Sequence, residues 1–483
     1  MTRDQAMESR IERERALLSR RRARTGAIPA LPRTGDTHSF PASYLQEAMW
    51  VQAQAEGEPD PLVVAGLRLH GPLDVEVLSR SLAALTGRHE TLRTMFRMRD
   101  GHLRQIVEQP RPCAIPVERI TLDQFEQVTW REVDRPFDLE SEPAYRLRLL
   151  RLAEDDHIAM LLLHHIIGDA RAVEVFIRDL AAYYMAFRGG TRPELPRLPV
   201  QYGDFAAWHR ARLDGRHGAE QLDYWVARLS GAVPAWLPAD LRPPGRSFDG
   251  TADGFRSRPG HTLIVPVAPE LFAGVEDLAR RHRTTLYIVS CVAFQVLLAR
   301  YSGERDIAVR APISFRNWRE VEDLIADFGN DIVFRTDLSG DPSFAELFAR
   351  VREPATRDFA CNELPPSLLE PELGNDPALL GRLFHVQFTA ETDPDLSIPL
   401  GDLRVEPMPP PWQYAFRPLA LRLRKSASGP VCIATYRTAV FSRQRADDLV
   451  HDYIDVLAEL VADPDRRVFA PPVRQRIPAR IPA

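Results

Sequence analysis

Two adjacent histidines followed by a glycine and an aspartate, His164-His165-Ile166-Ile167-Gly168-Asp169, are the residues of this chain best suited to moving a proton. A neutral imidazole titrates near about 6.5 and exchanges protons at neutral pH without a large environmental shift. Neighbours on a strand point to opposite faces, so one ring can reach a substrate while the other packs. Two other readings compete. Metal ligation would need further ligands at a spacing such as His-Glu-x-x-His, and none is present. A pair of satisfied, buried structural histidines is the second alternative. A Gly-x-Ser-x-Gly elbow, a Walker loop and a dinucleotide glycine fingerprint are all absent, which favours direct transfer over a covalent enzyme intermediate.

The flanking sequence supplies a frame for these residues. Ile158 to Leu163 is a continuous apolar run, the pattern of a strand buried on both faces, and it leads straight into the histidines. Beyond them Ala172, Val175, Phe176, Leu180, Tyr183, Tyr184 and Phe187 recur at helical spacing, with Asp169 at an N-cap position and Gly189-Gly190 closing the run. Backbone N–H groups beside Gly168 or at the start of that helix are candidate donors to an oxyanion.

At 483 residues the chain is long enough for two lobes of roughly 200 residues each. A net charge of −5 with 27% charged residues gives no general attraction to polyanions, so nucleic acid is not an expected partner. Cys113, Cys291, Cys361 and Cys432 lack Cys-x-x-Cys spacing and read as reduced, mostly buried thiols. No run approaches the roughly 18 apolar residues of a membrane span and the N-terminus is charged, so no membrane and a cytoplasmic location are expected.

Strand-like and helix-like patterns alternate, as in an α/β or α+β body. Residues 1–37 read as a charged leader and linker, helical around Ile11, Leu17 and Leu18; the leader is either solvated or a carrier-docking element. A first lobe is expected over 38–215, a second over 216–470, and a loose tail over 471–483, with the Pro-rich stretch around Leu237-Pro238 and Pro243-Pro244 as connection. In the second lobe, strands are expected at Thr262–Val267 and Ile307–Ile313, and helices at Pro269–His282 and Leu286–Tyr301.

The histidine string resembles the His-His-x-x-x-Asp-Gly hallmark of nonribosomal peptide synthetase condensation domains, with Ala170 in place of the last glycine. Further blocks resemble that family in the same order: Ser43 to Trp50, Arg88 to Phe96, Tyr202 to Trp208, and weaker forms at Asp327 to Asp331 and Asn362 to Pro365. The resemblance implies two chloramphenicol acetyltransferase-like lobes in a V-shaped pseudo-dimer, with a tunnel in which two pantetheine arms meet at the second histidine, His165. It implies a condensation enzyme joining a carrier-tethered acyl thioester to an amine or alcohol, in antibiotic or other natural-product biosynthesis. No cofactor is expected on the chain itself, since the substrates arrive on the phosphopantetheine of an acyl or peptidyl carrier protein; the acceptor is a small molecule or sits on a second carrier. No adenylation domain or Leu-Gly-Gly-x-Ser carrier site is readable, so a free-standing enzyme served by separate partners is expected.

On the same resemblance His165, His164, Gly168 and Asp169 form the catalytic set, with Asp169 held by an arginine, Arg316 being the first choice. Arg88 and Arg93 are either packing arginines or braces of the histidine loop. Asn330 and Ser314 are expected to line the tunnel, whereas Trp50, Trp208 and Trp412 are assigned to the core. Departures at Ala170, at Arg171-Ala172 and at Arg417-Pro418-Leu419 leave the acceptor open. An acyltransferase using acyl-coenzyme A and a non-catalytic docking platform for tailoring oxygenases are the alternatives.

Overall fold

The computed structural model describes residues 28–54, 61–234, 239–241, 260–373, 379–392, 400–408, 415, 417–426 and 428–471. The expected leader helix, most of the Pro-rich connection, Trp412 and nearly all of the tail lie outside the described residues.

The first half runs β1 (His38–Pro41), α1 (Tyr44–Gln54), β2 (Leu62–His70), α2 (Val75–Arg88), β3 (Thr94–Arg99), β4 (His102–Val107), β5 (Val117–Arg119), α3 (Phe125–Val133), β6 (Tyr145–Ala153), β7 (Asp156–His164) and α4 (Ala170–Arg188). Two helices follow, α5 (Tyr202–Leu213) and α6 (Arg216–Leu229). The second half is β8 (Gly260–Pro266), α7 (Pro269–Arg281), α8 (Leu286–Ser302), β9 (Asp306–Ser314), β10 (Gly329–Asp337), α9 (Phe344–Ala360), β11 (Val386–Thr392), β12 (Arg404–Pro407), β13 (Leu419–Ser426), β14 (Gly429–Arg437) and α10 (Arg443–Ala462).

Two large sheets organise these elements, one in the order β12-β2-β7-β6-β5 and one in the order β10-β9-β11-β13-β14-β8. The apolar run of β7 is central in the first, where both faces are covered and a strand needs no polar alternation. In the second, α8 is apolar on every side because the whole helix is core: Val289 to Ala299 is buried without interruption. Among the described residues no single helix is long and apolar enough to cross a membrane; α7 and α8 pass together by composition but meet at 109°.

A third core joins the two. Tyr202 and Phe205 of α5 pack with Phe315, Trp318, Val321, Leu324 and Phe328 from the second half, and Ile28 closes the cluster. The end of the leader is therefore fixed rather than solvated. Arg33 bonds both Glu90 and Asp204, and Leu31 N–H donates to Asp204. Residues 404–407, counted from sequence with the second lobe, complete the sheet of the first: β12 pairs antiparallel with β2, from Arg404 opposite His70 to Pro407 opposite Leu67. Gly66 permits the crossing, since a Cβ there would lie 2.3 Å from the Met408 carbonyl oxygen.

Candidate active site at the junction of the two halves

β7 ends at His164, and the chain then turns tightly before α4. His165 N–H donates to the Pro61 carbonyl at 2.8 Å, anchoring the turn to the segment before β2. Ile167 N–H closes onto His164 O, and Gly168 N–H onto His165 O at 3.3 Å. The Gly168 amide is thereby engaged inside the turn. Its packing is tight, for a Cβ would sit 3.1 Å from Leu163 and 3.2 Å from Ala172.

The two histidines divide as alternating strand faces require. His164 is fully buried, its ring lies edge-on to Phe137, and its Nδ1 accepts the Ile166 N–H at 3.0 Å. It is a packing residue, and its place in the catalytic set is corrected accordingly. His165 is part-exposed at 36%, with Nδ1 3.3 Å from Oδ2 of Asp327 and Nε2 without a hydrogen-bond partner among the described residues.

Asp169 caps α4 by accepting the Ala172 N–H at 2.7 Å. The same carboxylate accepts from Arg316 at 2.9 Å and from the Phe328 N–H at 3.1 Å. Arg316 also donates from Nη1 and Nη2 to the carbonyls of Val321, Leu324 and Ala326 and lies over the Phe328 ring. One carboxylate of the first half thus grips a loop of the second on either side of Asp327. Burial, the largest influence, and the neighbouring Asp169 raise the pKa of Asp327, opposed by His165 and by the Gly329 N–H that donates to it at 2.6 Å.

The remaining candidates sit further out. Arg88 reaches Asp179 on α4 at 3.0 Å and the Pro196 carbonyl, with His89 on the same carboxylate at 2.9 Å; it braces the helix that follows the histidines. Arg93 bonds the carbonyls of Thr86 and Glu108, tying α2 to the end of β4; the bracing role considered for it at the histidine loop is not what the structure shows. Asn330 donates to the carbonyls of Asn362 and Leu364 at 2.9 Å, a buried clamp on that segment. It borders a narrow cleft together with Tyr202, His209, Phe315, Gly329 and Glu363. Ser314, exposed, ends β9 opposite Gly329. Trp50 is 7% exposed in the first core, and Trp208 packs against Trp318 with ring centroids 5.0 Å apart.

The residue that sequence reasoning missed is Asp327. It begins one of the weaker family-like blocks, but its partner lies 162 positions away and no local spacing links them. A second oversight is the polar group that lines the cleft. Burial pushes His209 down to about 4, while for Glu363 bonds from His217 and Arg212 overcome burial and hold it at about 2.

Against known proteins, the condensation-domain family model matches residues 37–471. A linear gramicidin synthase protein of Brevibacillus parabrevis is 34% identical over 467 residues, covering 92% of this chain. Phosphinothricin tripeptide synthetase PhsC of Streptomyces viridochromogenes is 34% identical over 481 residues, covering 96%. The chain spans 6% of the former's length and 43% of the latter's. Among solved structures, the X-domain from teicoplanin biosynthesis in complex with OxyB superposes with a TM-score of 0.80 at 25% identity, over 92% of this chain and 97% of that one. SgcC5 of Streptomyces globisporus, solved with a naphthyl-ethanediol and sucrose, gives 0.70 at 27% identity, over 88% and 100%.

Proposed function

Since the chain belongs to the condensation-domain family, we propose that it joins an acyl group, delivered as a thioester on the phosphopantetheine of a carrier protein, to an amine or hydroxyl acceptor, with His165 as the catalytic residue. The observation that carries this reading is the presentation of His165. A turn pinned from both halves holds its Nδ1 against Asp327 and leaves Nε2 without a partner among the described residues.

In the proposed reaction the acceptor N–H or O–H attacks the thioester carbonyl carbon while His165 Nε2 takes its proton. The C–S bond then breaks, and the proton returns through Nε2 to the departing thiolate, giving an amide or ester and a free carrier thiol. Base catalysis of this kind contributes about 10²–10⁴-fold, and holding both reactants together contributes further. The proposed step itself calls for no cofactor beyond the phosphopantetheine of the carrier. The diol held by SgcC5 is a hydroxyl compound, which supports keeping alcohols among the acceptors.

A second reading has its own support. The X-domain relative was solved in complex with OxyB, so a surface of this chain could serve as a platform for such a partner. Incubating the chain with an acyl-loaded carrier protein, with acyl-coenzyme A, and with panels of amines and alcohols tests the proposal by intact mass. Product from the carrier alone supports it. Product from acyl-coenzyme A alone turns the reading to a coenzyme-A acyltransferase, and absence of transfer from either donor, with OxyB-like binding retained, turns it to the platform.

A further inference from the structure

We propose that Asp327 is a positioning residue of this reaction: it fixes the His165 imidazole in the tautomer that carries its proton on Nδ1, so that Nε2 is the base. The inference rests on the role given to His165 above, and adds what makes that ring competent.

A free neutral imidazole divides between two tautomers, and in one of them Nε2 already holds a proton and cannot accept another. A carboxylate against Nδ1 removes that form, because it would set two lone pairs face to face. Asp327 is built for this. Its Oδ2 lies 3.3 Å from His165 Nδ1, its Oδ1 is taken by the Gly329 N–H at 2.6 Å, and its side chain is 4% exposed. Such contacts are commonly long before substrate binds and tighten in the reacting complex. The carboxylate cannot drift, since the next residue, Phe328, is bonded through its N–H to Asp169, which Arg316 holds in turn. The imidazole therefore comes from one half of the chain and its orienting group from the other, and the pair exists only when the halves are correctly docked.

The charged and polar groups facing the pair are each engaged with another partner. The Asp169 charge is matched by Arg316. Tyr202 is buried beside Asp327, with burial pushing its hydroxyl pKa upward, and it is engaged with Ser43 at 3.1 Å. His164 is turned into the core onto the Ile166 amide. The pair shares one proton while the base is active, and a second proton on Nε2 silences it. A hydroxyl becomes a good nucleophile only as its proton leaves, whereas a neutral amine attacks first. Transfer to alcohols should depend on Asp327 more steeply than transfer to amines.

The test compares wild type with Asp327→Asn, which keeps shape and polarity, by ¹⁵N NMR of His165 and by pH profiles of kcat and KM with an alcohol and an amine acceptor. The expected result is an Nδ1–H tautomer in wild type and its loss in the variant. With it should come a fall in kcat of about 10–100-fold for the alcohol, a smaller one for the amine, and KM within about twofold. An Nε2–H tautomer in wild type, or unchanged kcat and pH profile in the variant, overturns the proposal. If wild type transfers no acyl group, the functional reading fails while the NMR tautomer still decides the role of Asp327. Should the variant not fold, the wild-type spectrum alone decides it.

Discussion

Asp169→Ala removes a carboxylate that makes three bonds, and its cost follows from what each partner has left. Arg316 would lose the one carboxylate it bonds among the described residues but keep the carbonyls of Val321, Leu324 and Ala326. The penalty for orphaning one member of a buried pair should therefore lie near the lower end of its range, at about 3 kcal/mol. Loss of the N-cap contact to Ala172 adds about 1 kcal/mol, and an unpaired Phe328 N–H about 1 more. The three share one group and are not additive, so roughly 4 kcal/mol is expected overall. Asp169→Asn keeps a capping oxygen and should cost about half as much. Urea unfolding followed by tryptophan fluorescence is suited to this, because Trp208 and Trp318 lie in the core that joins the halves. With a slope of about 3 kcal/mol/M the midpoint should fall by more than about 1 M for the alanine variant. A folded Asp169→Ala protein with its midpoint within about 0.3 M of wild type, yet inactive, would refute a structural role and require a chemical one.

Asp179, fully buried on α4 beneath Arg88, His89 and Arg178, should cost about 3–5 kcal/mol on replacement by alanine, whereas Glu118→Gln at the exposed Arg131 pair should stay within about 0.5 kcal/mol; thermal melts of both variants check the contrast. His209 is held near 4 by burial and would take up a proton near 6.5 when unfolded, so stability should fall as pH drops from about 6.5 toward 4, by on the order of 3 kcal/mol. Glu363, held at about 2, adds stability that is complete above about 4.5 and is lost as pH falls from there toward 2. Urea midpoints at pH 7, 5.5, 4.5 and 3.5 should show this decline, and His209→Phe should flatten its part above about pH 4.5; an unchanged slope there in the variant would count against the assignment. Gly66→Ala would press a Cβ against the Met408 carbonyl, and amide exchange at residues 404–406 and at Met408 should quicken as β12 leaves β2.

What the sequence made legible was what repeats locally. The 3.6-residue spacing after Asp169 gave α4 nearly to the residue, the apolar run Ile158 to Leu163 gave the middle of β7, which extends two residues further at its start and one at its end, and the run of apolar residues from Leu286 gave α8. Arg316 as the partner of Asp169 was legible only through resemblance, since nothing in the spacing of residues 147 apart indicates contact. Asp327 escaped for that same reason. β12 escaped because four residues are too few to show alternation, and its pairing is set by a sheet more than 300 positions earlier. Arg93 stayed open between two readings because a guanidinium within a family-like block looks the same whether it braces a loop or satisfies two nearby carbonyls.

The most direct test of the central claim is the rate of acyl transfer by His165→Ala, set beside wild type, from an acyl-loaded carrier protein to an amine and to an alcohol, each followed by intact mass. A folded variant that binds the carrier as wild type does but transfers at least about 10²-fold more slowly is the predicted result. Transfer at the wild-type rate by that variant would contradict the account, because the turn that Asp169, Arg316 and Asp327 hold in place would then be presenting a ring the reaction does not use.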